Sequence, residues 1–184
     1  MDPIALLTRM VEIPSLSGEE SSLASFLVET MHRLGFQASV DQAGNAVGVL
    51  GDGPAEIVLL GHMDTVAGVV PVRTADGKLY GRGSVDAKGP LAAFIAAAAQ
   101  VGPLPQKRIV VVGATEEEAA SSRGARHASR VFAPRYCVIG EPSGSHAVTL
   151  GYKGRIVCAY EAKTAAAHSA SKEGSILEEG VEFW

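Results

Sequence analysis

Aromatic residues are scarce: one Trp, four Tyr and five Phe in 184 residues. Alanine is abundant instead, which favours close-packed helices on a sheet over a core of large rings. Only two cysteines are present, Cys137 and Cys158, both inside apolar runs. That argues against a disulfide framework and fits reduced core residues of a cytoplasmic protein. No Lys/Arg cluster exists and the net charge is −4, so nucleic-acid binding has no electrostatic footprint. The longest apolar run, near residues 91–99, is too short to span a bilayer. The first residues, M-D-P-I-A-L-L, place no basic segment ahead of an apolar one, which argues against a signal peptide. What is present is 47% hydrophobic residues. That is enough to bury a core for one domain, or for one domain and part of another.

The apolar residues fall into alternating strand and helix patterns. Asp2-Pro3 reads as an N-cap with proline at the first helical position, opening a helix to about residue 11. Ser17 and Glu20, three apart, read as a capping box ahead of the helical spacing of Leu23, Phe26, Leu27, Met31 and Leu34. Gly35 reads as that helix's stop. Residues 36–40 and 46–50 read as strands joined by a turn, and 70–74 with 78–81 as a hairpin around Asp76-Gly77. An alanine-rich helix is expected from Lys88 to about residue 100, and another near 124–132. Three short, nearly continuous apolar runs, 57–60, 108–115 and 136–140, read as strands buried on both faces. After Ser143 the pattern becomes half-exposed. It suggests strands at 147–152 and 155–162, a break around His168, and a helix-like stretch from Ile176. The alternation of strands and helices predicts an α/β fold with a largely parallel sheet.

Each of the three apolar strands runs into acid-bearing sequence: Gly-His62-x-Asp64, Thr-Glu-Glu117-Glu118 and Gly-Glu141-Pro. Parallel strands deliver their carboxyl ends to one edge of a sheet. Gly61 would let the backbone turn there. Asp86 follows the turn G-R-G-S-V, which could fold over the same edge. The Gly81-x-Gly83 pair is not a dinucleotide fingerprint, because the third glycine is misplaced and no buried strand feeds it. Gathered without counter-charge, these carboxylates would repel and be driven to protonate. One or two divalent metals would remove that cost, and one histidine with several carboxylates suits zinc, cobalt or manganese. Taken singly, each residue also fits a plainer role. Glu116 to Glu118 could be a solvated helix start, Asp86 a helix cap, Glu141 a turn residue, and His168 a loop histidine. His32, His127 and His146 read as helix-surface or loop residues.

Four segments in order, L-L-G-H-M-D-T, G-R-G-S-V-D-A-K-G, A-T-E-E-E with R-G-A, and V-I-G-E-P-S, resemble the co-catalytic zinc aminoacylase/carboxypeptidase family, peptidase family M20. The resemblance is nearest to its branch of acetyl-lysine/acetylornithine deacetylases of lysine biosynthesis, where the substrate amine rides on a small acidic carrier protein. The resemblance implies a three-layer α/β/α catalytic domain with a mixed, largely parallel central sheet, zinc-exopeptidase-like, followed by a smaller α+β lid or dimerisation domain. It implies that His62 and Glu141 bind one metal and Glu118 the other, with Asp86 bridging. Two Zn2+ or Co2+ ions would complete the site. Asp64 would orient His62, Glu117 would act as general base, and the peptide after Asp86 would be cis. His168 would be presented to the substrate from the lid.

The implied reaction is hydrolysis of a linear amide, releasing lysine or ornithine from an N-acyl or carrier-linked precursor. An M20-type dipeptidase or aminopeptidase, or a non-catalytic complementing fragment, are the alternatives. A homodimer is implied for the full-length form, with no nucleic-acid or membrane partner. Family members are about twice this length and supply a final histidine to the second metal from a returning segment. This sequence has no histidine after His168. The expectation is therefore a catalytic part over 1–146 and the beginning of a lid over 147–184, in a truncated chain that lacks one ligand of its second metal.

Overall fold

The three apolar runs become neighbouring parallel strands in the computed structural model. It describes residues 2–144, 146–151, 154, 156–163 and 176–183. In chain order the elements are α1 (Pro3–Glu12), α2 (Ser21–Arg33), β1 (Gln37–Val40), β2 (Ala46–Leu50), β3 (Ala55–His62), β4 (Arg73–Ala75), β5 (Lys78–Tyr80), α3 (Lys88–Val101), β6 (Lys107–Ala114), α4 (Arg123–Val131), β7 (Tyr136–Ile139) and α5 (Ile176–Phe183). The main sheet has the order β1-β2-β6-β3-β7, and β4 with β5 forms a separate hairpin. β3 pairs in parallel with both β6 and β7, whereas β1-β2 and β2-β6 are antiparallel. The sheet is therefore mixed, with its parallel part where the acids lie.

Alternation along β6 explains the layers. Ile109 and Val111 pack with residues of α1, α2 and α3, while Val110 and Val112 pack with Ala128 and Phe132 beside α4. Successive side chains of a strand point to opposite faces, so an unbroken Val run is what a strand covered on both sides requires. Val110, Val111 and Val112 are fully buried, each worth roughly 1.5–3 kcal/mol over an exposed position. The result is an α/β/α arrangement.

Gly61 differs from its expected role. It lies within β3, opposite Gly113 of β6, and both glycines make room for α3. A Cβ at Gly61 would stand 3.3 Å from the Leu91 Cβ, and one at Gly113 would stand 3.2 Å from Leu91 Cδ2 and 2.9 Å from Met63 Cγ. The pair brings the helix close to the sheet near the strand ends. Gly124 of the R-G-A segment acts similarly at the start of α4. There a Cβ would run into Asn45 Oδ1 and the Thr115 backbone. Asn45 is buried, accepts from Thr115 N–H at 3.0 Å and donates to Gly124 O at 3.1 Å. Gly124→Ala is therefore expected to destabilise by about 1–3 kcal/mol through overpacking, although alanine normally gains about 1 kcal/mol over glycine in a helix. Urea denaturation checks it, and a gain in stability would contradict the packing argument.

Other expectations shift. Ser17 and Glu20 form no capping box: α2 starts after Glu20 with no side-chain cap, and both side chains are used elsewhere. β7 has an exposed burial pattern throughout, and both cysteines are free and exposed, so neither belongs to the core. Among the described residues β7 pairs with β3 alone, which leaves its other edge uncovered. The described residues of 147–152 and 155–162 form no strand. The chain divides into two compact units, Met1–Ser145 and His146–Trp184. The second contains α5. Among the described residues no helix is long and apolar enough to cross a membrane.

Candidate metal centre

His62 is the last residue of β3 and is 2% exposed. Its Nδ1 lies 2.9 Å from the Asp64 carbonyl oxygen. A donor hydrogen there leaves Nε2 with the lone pair, the tautomer a metal ligand needs. Nε2 faces Asp86 Oδ1 at 3.0 Å and Glu141 Oε1 at 3.9 Å. Nitrogen or oxygen atoms of His62, Asp86 and Glu118 lie within 4.8 Å of one another. Asp86 and Glu118 are exposed while His62 is buried, so the donors line the floor and rim of an open site. A cavity of about 240 Å³, lined in part by Thr65, Arg82, Ser84, Asp86 and Glu118, opens beside them.

Asp64 organises the centre. It is fully buried. Its Oδ1 accepts from Glu117 N–H at 3.0 Å, and its Oδ2 from Glu118 N–H at 3.0 Å and Ser17 Oγ at 2.7 Å. Oδ1 also lies 3.4 Å from His62 Nδ1. Asp64 thus aligns the histidine mainly through its backbone carbonyl, while its carboxylate holds the loop that carries Glu117 and Glu118. Glu20 holds the start of the same loop: its Oε1 accepts from Glu116 N–H and Gly18 N–H, both at 3.0 Å. The strand-like segment around Leu16 is zipped onto Thr65, with Thr65 N–H donating to Ser15 O and Ser15 Oγ donating to Met63 O. Ser17 and Glu20 are functional supports that sequence reading assigned to a helix cap. The S-x-x-E spacing that signalled a cap instead sends Ser17 to Asp64, 47 residues away, and Glu20 to the Glu116 amide, 96 residues away.

Asp86 does not cap α3, because the helix begins after Ala87 with no side-chain cap. The Asp86–Ala87 peptide is cis. Glu116 to Glu118 are no helix start either, since α4 begins at Arg123 and Glu116 has φ +56°. Glu117 is exposed, and its charge acts on both Glu118 and Glu141. His168 lies outside the described residues. His32 is on the surface of α2, and His127 sits 3.6 Å from Asp41, away from the site.

Electrostatics give the cluster a cation's signature. Burial works against a charged His62, but contacts with Asp64 and Asp86 and the charge of Glu141 outweigh it and raise its pKa to about 9. Burial opposes ionisation of Asp64, yet hydrogen bonds from His62, Ser17 and the Glu117 and Glu118 amides lower it to about 2. Burial and then the charge of Asp86 push Glu118 up, despite His62. Burial pushes Glu141 up, with Glu117, Asp86 and Glu118 adding to it against His62. Carboxylates crowded enough to resist ionisation, around one imidazole with a fixed tautomer, fit a divalent cation of the zinc or cobalt type.

A pH dependence follows. Without metal, His62 is protonated at neutral pH, and its contribution to stability is full below pH 6.5 and lost as pH rises through 9. Metal must displace that proton. Affinity is therefore expected to rise roughly tenfold per pH unit up to about pH 9, with close to one proton released per ion at pH 7. Calorimetry in buffers of different ionisation enthalpy reads the proton count, and no release at pH 7 would contradict the assignment of His62.

Comparison with known proteins finds relatives of the chain. A model of peptidase family M20/M25/M40 matches residues 58–179. A LysW-lysine hydrolase of Deinococcus radiodurans is 52% identical over 182 residues, 97% of this chain and 50% of that protein. A Pyrococcus furiosus protein named as a LysW-lysine/LysW-ornithine hydrolase is 40% identical over 184 residues, 100% of this chain and 54% of that protein. The chain spans about half the length of these curated relatives. Among solved structures, human carnosine dipeptidase 1 superposes with a TM-score of 0.62 at 25% identity, covering 75% of this chain and 38% of that one.

Proposed function

The chain belongs to peptidase family M20/M25/M40, and from that premise we propose that it carries the metal-binding part of a hydrolase releasing lysine or ornithine from a LysW-linked precursor. The observation that supports this most is the convergence of His62, Asp86 and Glu118, with Glu141 beside them, at the carboxyl ends of parallel strands. The similarity to LysW-lysine hydrolases supplies the substrate class.

In this reading His62, Glu141, Glu118 and Asp86 would hold the metals, His62 and Glu141 serving one site and Glu118 the other, with Asp86 shared. The ions are Zn2+ or Co2+. The chemistry a divalent cation supplies when bound is acidification of a water and polarisation of an amide carbonyl. Asp64 keeps Nε2 of His62 aimed at the site and fixes the Glu117–Glu118 backbone. Glu117, exposed on that loop, accepts the proton of the attacking water and returns it to the departing lysine or ornithine amine. The family resemblance gives His168 a role in contacting the substrate, within what is read as the beginning of a lid. The protein works in the cytoplasm, and as a homodimer at full length.

The test is release of free lysine from a LysW–lysine conjugate. It is run with Zn2+ or Co2+, using this chain alone and this chain joined to the remaining half of the Deinococcus relative. Release by the joined protein is expected. Faster hydrolysis of a simple dipeptide than of the conjugate would favour the dipeptidase reading, which the likeness to carnosine dipeptidase supports. No hydrolysis of either substrate by the metal-loaded joined protein would overturn both.

A further inference from the structure

Lys88 is the largest fully buried side chain among the described residues, 1% exposed, and no role has yet fallen to it. It is the first residue of α3, two positions after Asp86. Its Nζ donates to Met10 O at 3.0 Å and Ile13 O at 2.8 Å. Both carbonyls belong to the C-terminal end of α1, where Ile13 is the C-cap. Among the described residues no carboxylate lies within ion-pair distance of it. An ammonium buried without a counter-ion is costly. Here the carbonyls of the helix end, of which Met10 O also accepts from Ile13 N–H at 3.3 Å, and the negative end of the helix dipole offset part of that cost.

The location gives the arrangement a purpose. Among the described residues the Asp86 carboxylate makes one hydrogen bond, to His62, and it is 55% exposed. No network of hydrogen bonds holds its carboxylate, unlike that of Asp64. α3 has no side-chain cap to anchor its first turn. The position of Asp86 is therefore set by the backbone that joins the Gly-rich turn to α3. Lys88 fastens that backbone twice. Its amide donates to Gly83 O at 3.0 Å, and its side chain crosses to α1. Its stem also lines Gly83, where a Cβ would stand 3.2 Å from Lys88 Cδ and 2.8 Å from Thr65 Cγ2.

We propose that Lys88 is a positioning residue of the metal centre, a buried ammonium that pins the first turn of α3 to the end of α1 and so fixes Asp86 against His62. The inference rests on the reading of His62 and Asp86 as metal ligands, and it adds a residue that touches neither metal nor substrate. Supports of this kind typically tune metal affinity by about 10–100-fold.

The experiment uses the chain as it stands and Co2+ alone as the probe, read by affinity and by visible absorption. Lys88→Met keeps the stem and removes the donors. Ile95→Ala, a cavity on the same helix away from the site, is the control for lost stability. Lys88→Met is expected to bind Co2+ at least tenfold more weakly, with an altered Co2+ spectrum, at temperatures where it is folded. Ile95→Ala is expected to melt lower yet keep the affinity within about twofold and the spectrum unchanged. Should Lys88→Met not fold, Lys88→Gln, which retains an N–H donor, replaces it, with a smaller loss in the same direction and the same spectral change. Unchanged affinity and spectrum in the folded Lys88 variant would overturn this inference and leave the metal reading intact. Failure of the unsubstituted chain to bind Co2+ would overturn both.

Discussion

Asp64→Ala is expected to destabilise the first unit by about 3–5 kcal/mol, the usual cost of removing one partner from a buried charged network. The carboxylate is fully buried and accepts from Ser17 Oγ and from the Glu117 and Glu118 amides. Deleting it strands all three donors, and each buried unpaired group costs about 1–3 kcal/mol. Asp64→Asn keeps the shape but turns one oxygen into a donor, which then meets another donor whichever way the amide faces. Its loss should be smaller, with the same sign. The pH dependence separates the charge from the shape. With a folded pKa of about 2 against an ordinary 3.8, Asp64 contributes stability that is present above about pH 4 and fades as pH falls towards 2. Asp64→Asn should flatten the stability curve in that window. Metal affinity should fall by about 10–100-fold in both variants. Urea denaturation between pH 2 and 7 and a metal titration measure these effects. A loss below about 1 kcal/mol, the scale of an exposed ion pair, would mean that Asp64 does not organise the loop.

Glu117→Gln should do the opposite, leaving the fold alone and removing the chemistry. Its carboxylate is exposed, and its contribution to the Asp64 network is a backbone N–H that glutamine keeps. Stability should therefore stay within about 0.5 kcal/mol, as for most surface changes. Metal binding should be equal or slightly weaker, because the lost negative charge attracts a cation but also crowds Glu118 and Glu141. Hydrolysis by the completed protein should drop by about 10²–10⁴, the usual worth of general acid–base catalysis. A positioning role would mainly raise KM, whereas a proton-transfer role lowers kcat. Undiminished kcat in a metal-loaded Glu117→Gln enzyme would remove Glu117 from the mechanism.

These two neighbours show what can be read along the chain and what cannot. Glu117 was legible because it follows an apolar run, and such runs become strands whose ends share an edge. The same reasoning placed His62, Asp86, Glu118 and Glu141 near one another, and the donor distances agree. The hairpin at Asp76-Gly77 and the stop of α2 at Gly35 were legible for a simpler reason. Turn chemistry is local, and both glycines have positive φ. The supports were not legible. Ser17 and Glu20 satisfy a capping pattern in sequence, yet their partners are 47 and 96 residues away. Cys137 sits in an apolar run and reads as core, but β7 is left with an uncovered edge among the described residues, and its side chains are exposed.

By itself the sequence determined the alternation of elements, the parallel part of the sheet and the set of acids at its carboxyl edge. Periodicity and turn chemistry act over a few residues, and strand direction follows from them. Tertiary structure decided which carboxylate lies buried within a hydrogen-bond network and which stays open at the rim. Asp64 and Asp86 look alike in sequence, each following a glycine-bearing segment. One is buried beneath three hydrogen-bond donors, and the other stands at the rim, bonded among the described residues to His62 alone. It also decided that Lys88, an ordinary helix-start lysine by composition, lies buried against the carbonyl end of α1. Burial and long-range hydrogen bonds separate these residues, and both come from packing segments that are far apart in the chain.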